Sequence, residues 1–156
     1  LRRERPLIRL RHLHERRHDA DREIKRQPNR LLLRLDEDLA AVGIERDDVY
    51  IANILKCRPP NNRDPLPEEG DACIGYLREQ VKLVKPKMIV CLGRIAAMRL
   101  INPDYRITKE HGIFVKKGQF LMTAVYHPAA LLRDPARKED MYRDMKKIRE
   151  LYDNLN

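Results

Sequence analysis

The stretch from Val49 to Arg63, reading VYIANILKCRPPNNR, limits the choice of folds more than any other. Val49, Ile51 and Ile54 are β-branched and Tyr50 suits a sheet, so the stretch opens as a strand. The run is mostly apolar, as a parallel strand covered on both faces is. It then meets Cys57-Arg58-Pro59-Pro60, and a central strand does not continue through two prolines. In an open α/β sheet, ligands gather outside the carboxyl ends of strands. Asn53, Lys56, Cys57 and Asn61 to Arg63 therefore crowd a place where chemistry is expected. Asn53 can be a satisfied structural bridge, or it can offer a donor and an acceptor to a ligand. Taken alone, an asparagine there favours the structural role.

The chain around this stretch alternates helix and strand. Leu31, Leu32, Leu35, Leu39 and Val42 form an apolar helical stripe, with Gly43 in position to end it. Pro67-Glu68-Glu69 opens a helix to about Val84, with Cys73, Leu77, Val81 and Val84 on one side. Lys87 to Leu92 predicts a second buried strand. Gly93 turns the chain into a helix from Arg94 to Ile101, where Ala96 and Ala97 permit close packing. Residues 105–119 are irregular or hairpin-like around Gly112 and Gly118. Phe120 to Tyr126 predicts a third strand with His127-Pro128 at its end, and Ala129 to Arg133 a short loop. From Pro135 or Ala136 a long amphipathic helix follows, with Met141, Tyr142, Met145, Ile148 and Leu151 on its core face. Such alternation predicts an α/β fold, a three-layer α/β/α arrangement around a mainly parallel sheet. It brings two polar groups of residues, Asn53 to Arg63 and His127 to Arg133, to strand carboxyl ends.

A chain of 156 residues is long enough for one domain with a proper core. No apolar run approaches the roughly 20 residues of a membrane span, and the N-terminus has no apolar signal region. A cytoplasmic protein without a membrane partner, and a monomer, is expected. The three cysteines cannot all pair with one another, and a metal or cluster site suits them better than disulfides. No Cys-x-x-Cys pair occurs, so a zinc-binding module is the weaker use of them.

The net charge of +9 points to an anionic partner. It is unevenly spread. Residues 1–34 hold 12 Lys+Arg against 5 Asp+Glu, or +7, leaving +2 for the rest. This segment has no glycine and no aromatic residue, and 11 of its basic residues are arginine. It reads as an atypical basic arm, either a solvated, partly helical one or a phosphate-binding one. The domain proper is expected over residues 35–156.

Several of these motifs, in order, resemble the family 4 uracil-DNA glycosylases, the iron–sulfur type. The resemblance rests on Val49 to Arg63 with its Lys-Cys-Arg-Pro-Pro, on Asp71-Ala-Cys73, on Val84 to Gly93, and on the HPAALLR of His127 to Arg133. It implies a uracil-DNA glycosylase-like fold and a DNA-repair hydrolase that cuts the N-glycosidic bond of uracil in DNA. By this resemblance Asn53 reads the edge of a flipped uracil, and His127 binds uracil O2 and stabilises charge on the leaving base. Arg63, Leu131, Leu132 and Arg133 meet DNA, the leucines as wedges in the duplex. Cys57 and Cys73 are two of four thiolate ligands of a 4Fe–4S cluster. Cys91, mid-strand, matches no ligand position and reads as core.

Parts of the family pattern do not occur in this sequence. Residues 1–34 hold no cysteine, so only two of the four cluster ligands are present and the cluster is expected to be absent or incomplete. The family's first motif, a central strand ending in an acidic Gly-Glu-x-Pro-Gly type loop, is not found, and no aromatic residue precedes Tyr50. Leu7 to Leu13 is a candidate substitute strand, but its charges argue against burial. The expectation is weak or no uracil release. The alternative is a non-catalytic DNA-binding derivative of the same fold.

Overall fold

β3 (Phe120–Val125) lies between β1 (Met88–Leu92) and β2 (Val115–Lys117) and organises the molecule. The computed structural model describes residues 30–155; most of the basic arm, including Leu7 to Leu13, lies outside them. β1 and β3 are parallel, with Met88 opposite Leu121 through to Leu92 opposite Val125. β2 and β3 form an antiparallel hairpin. Its two-residue turn carries Gly118 at φ +60 and Gln119 without a positive φ, which is the II′ geometry a tight hairpin favours.

Alternation along the strands feeds two cores. Met88, Val90, Leu92 and Val125 face a cluster built with Leu35, Leu39, Leu131, Met141, Met145 and Ile148. Ile89, Cys91, Met122 and Ala124 face the other, which contains Ala97 and Tyr105. Helices α1 (Arg30–Ala40), α5 (Pro128–Arg133) and α6 (Lys138–Asn154) cover the first face. Helix α3 (Arg94–Leu100) covers the second, and Ala97, fully buried, lets it approach the strands closely. The three-layer α/β/α expectation is met, around a small mixed sheet. None of the described helices is long and apolar enough to cross a membrane.

Helix ends follow local chemistry. α1 closes with Gly43 at φ +73, where Gly43 N–H donates to Ala40 O and Ile44 N–H to Leu39 O, both at 3.0 Å. The boundary expected between residues 34 and 35 falls inside this helix. α2 (Pro67–Val84) starts at its proline, and the Glu69 carboxylate accepts from the Leu66 N–H at 2.8 Å. Lys85 in a left-handed conformation ends it. Gly112 stands after the single turn α4 (Ile107–Glu110).

Three expectations need correction. Val49 to Ile54 is not a strand. Val49 and Ile51 pack on the first core, but the segment pairs with no neighbour among the described residues. Side chains take its carbonyls instead: Arg46 donates to Val49 O at 3.0 Å and Lys56 to Asn53 O at 2.8 Å. Ala129 to Arg133 is not a loop but lies within α5, because Pro128 occupies the first turn and the His127 side chain caps it. Tyr142 lies outside the core face of α6; it is exposed, with Lys146 Nζ 4.7 Å from its ring centroid.

Candidate active site

The end of β3 delivers His127 to the carboxyl edge of the sheet. The next residue, Pro128, has no N–H to satisfy and fits the first helical position. His127 caps that helix through its own ring: Nδ1 accepts from the Ala129 N–H at 3.1 Å. An Nδ1 that accepts carries no proton. The neutral ring therefore holds its proton on Nε2, and the opposite edge of the imidazole is a donor. Partial burial, then the nearby Arg133 charge, holds the His127 pKa below its ordinary value, which favours this neutral form.

Gly93, at the end of β1, makes that position possible. Its N–H donates to Val125 O at 2.8 Å, tying the two strand ends together. A Cβ on Gly93 would lie 2.9 Å from the His127 Cβ, and the residue sits at φ +87, ψ 175. That backbone region is essentially open to glycine alone. The following residue, Arg94, pairs with Asp64 at 2.5 Å and so draws the loop after Pro59-Pro60 toward the His127 end.

The expected site residues are not all placed alike. His127, Leu132 and Arg133 are exposed around the start and end of α5. Leu131 is not with them. It is 1% exposed, within the first core, and cannot enter a duplex without leaving that core. Asn53 is exposed, and its side-chain amide makes no hydrogen bond among the described residues. That is the opposite of the satisfied bridge a lone asparagine suggests. Arg63 is exposed but engaged by Glu69 through two bonds of 2.7 and 2.9 Å. The arginine and the Leu66 N–H hold the Glu69 carboxyl down at about 2.

Cys57 and Cys73 lie in neighbouring segments. The Lys56 N–H donates to the Cys73 sulfur at 3.4 Å, one residue before Cys57. Lys56 Nζ also reaches Gln80 on α2 at 3.0 Å, fastening the same corner. Cys91 is 2% exposed on the far core, and burial pushes its thiol up to about 12. It is no ligand. Among the described residues no group of three or more side chains could hold a metal ion. The 156 residues thus offer a two-thiol corner, which does not amount to the ligand set of a cluster.

A family model described as the uracil DNA glycosylase superfamily matches residues 24–150. The chain belongs to this superfamily. A type-4 uracil-DNA glycosylase of Archaeoglobus fulgidus is 46% identical over 125 residues, which are 75% of this chain and 63% of that protein. A type-4 enzyme of Sulfurisphaera tokodaii is 42% identical over 118 residues, 70% of this chain and 54% of that protein. One from Pyrobaculum aerophilum is 40% identical over 119 residues, 71% and 61% of the two chains. The chain therefore matches between about half and two thirds of the length of these relatives.

One pair of residues escaped the sequence reading. His111 Nδ1 and Asp144 Oδ2 are 2.5 Å apart, and Asp144 is 2% exposed. The signal was a carboxylate at a core position: Met141, Asp144, Met145 and Ile148 share one helical face.

Proposed function

We propose that this superfamily chain is a DNA-repair glycosylase that hydrolyses the N-glycosidic bond of uracil in DNA. The observation that carries this reading is the His127 imidazole, neutral and with its Nε2 proton free to donate, at the carboxyl edge of the sheet. The base must first leave the stack, which costs a few kcal/mol. Exposed Leu132 and Arg133 suit the space it vacates, one as an apolar wedge and the other as a phosphate or groove contact. Leu131 serves the core instead.

Breaking the bond leaves its electron pair on the uracil and oxocarbenium character on the sugar. The His127 Nε2 proton, donated to uracil O2, stabilises the departing anion more than the bound base. Water then adds at the sugar carbon, and the proton it loses ends on the uracil anion. The free Asn53 amide can accept from uracil N3–H and donate to O4, whereas cytosine presents the reversed pattern. Cys57 and Cys73 would supply two thiolates to a 4Fe–4S cluster whose other ligands these 156 residues do not contain. No step above passes through it.

The test is uracil release from a single-uracil oligonucleotide by the purified chain in excess, with the visible absorbance and iron content of the same sample. Release from uracil-containing but not thymine-containing DNA, lost in His127→Ala, is the expected result. No release at enzyme excess would overturn the catalytic reading. The alternative, DNA binding without chemistry, predicts equal affinity for uracil-containing and ordinary DNA.

A further inference from the structure

The hairpin that carries β3 continues past its last ladder pair. Val115 opposite Met122 is its last pair, and the chain before it, residues 111–114, stays against β3 through bonds outside the ladder. Gly112 N–H donates to Ala124 O at 2.9 Å, one residue off the hairpin register, and Thr123 Oγ1 donates to Ile113 O at 2.9 Å. The His111 and Tyr126 rings meet with centroids 4.7 Å apart. Tyr126 is 5% exposed and directly precedes His127.

Asp144 of α6 locks this arrangement from below. It is the one buried carboxylate among the described residues, and its partner is His111 Nδ1. A Cβ on Gly112 would lie 2.0 Å from Asp144 Oδ1, so the glycine leaves the room this carboxylate occupies. A guanidinium meets the same tyrosine: Arg137 Cζ is 5.0 Å from its ring centroid, and Asp134 holds the Arg137 side chain at 2.8 Å. A buried polar pair such as His111 and Asp144 is a poor source of net stability, because desolvation offsets the attraction. Its use is in fixing one geometry.

We propose that His111 and Asp144 are a positioning dyad for His127. The dyad clamps the His111 ring against Tyr126 and so fixes the strand end from which the His127 imidazole projects. The inference rests on the glycosylase reading for its functional consequence, but its structural claim can be measured without activity.

The experiment compares the unsubstituted chain with Asp144→Asn and His111→Gln by nitrogen-15 NMR of the imidazoles, with uracil-release kinetics in parallel. In the unsubstituted chain the His111 Nδ1 proton should be slow to exchange and close to the Tyr126 ring. In variants that keep a cooperative melt, the His127 ring signals should move toward a mixed tautomer. Their kcat should fall by up to about 100-fold, since small misplacements of a reacting group have that effect, with KM changing far less. Unchanged His127 signals in a folded variant would overturn the proposal. If neither variant folds, the unsubstituted protein decides: a rapidly exchanging His111 Nδ1 proton sinks the dyad, and a protected one supports it. An unsubstituted chain that releases no uracil refutes the glycosylase reading alone, and the NMR result still judges the dyad.

Discussion

His127 shows how much of a site one residue's surroundings can set. Protonation has to occur at Nδ1, where the Ala129 N–H already donates. Partial burial, then the nearby Arg133 charge, holds the folded-state pKa below the ordinary value of about 6.5. A depressed folded value means that the unfolded chain binds the proton more readily. The stability linked to this group is fully present above the unfolded pKa and is lost as pH falls through the folded one. Thermal stability and uracil release should both be level above about pH 6.5 and decline together below it. An NMR titration should give His127 a midpoint under that value; a midpoint above it would contradict the cap. Gly93 bears on the same residue through sterics. Gly93→Ala should cost about 1–3 kcal/mol from backbone strain alone, read as a lower melting temperature. It should also weaken uracil release, because the new Cβ meets the His127 Cβ.

At the scale of the element, α5 separates two neighbouring leucines that look alike in sequence. Leu131 packs under the helix in the first core and Leu132 faces outward at 60% exposure. Leu131→Ala should cost about 2–5 kcal/mol, the usual penalty for a buried leucine cavity. Leu132→Ala should leave the stability within about 0.5 kcal/mol of the parent's and weaken DNA binding instead. Thermal melts and DNA titrations on both variants check this; a neutral Leu131→Ala would remove it from the core. The same helix shows what sequence carries and what it does not. Strand 88–92, strand 120–125 and the three longer helices around them were legible from apolar period, prolines and end glycines. The side of α5 that faces the core was not, since a six-residue helix presents no repeating stripe. Val49 to Ile54 misled because β-branched composition reports burial, and here burial comes without a ladder partner. Asp144 was legible in principle, but its partner His111 lies 33 positions away and is brought to it by the tertiary fold.

For the whole molecule, the open question is where the positive charge acts. The excess of +7 in residues 1–34 against +2 elsewhere makes the arm the main electrostatic feature of the chain. Within the described part, many basic side chains are neutralised locally: Arg63 by Glu69, Arg94 by Asp64, Arg99 by Asp71, Arg149 by Asp153. A surface laced with such pairs presents little net field to a polyanion, so long-range attraction to DNA should fall to the arm. Each phosphate that the protein neutralises steepens the fall of log affinity with log salt by about 0.9. Replacing Arg2, Arg3, Arg5, Arg9 and Arg11 together by glutamine should flatten that slope by several units if the arm lies along DNA. Arg133→Gln should flatten it by about one unit, as a single phosphate contact does. DNA titrations at a series of salt concentrations measure both. An arm variant with the parent's slope would assign the arm to solvent, and would leave Arg133 and its neighbours on α5 as the main DNA contact of this chain.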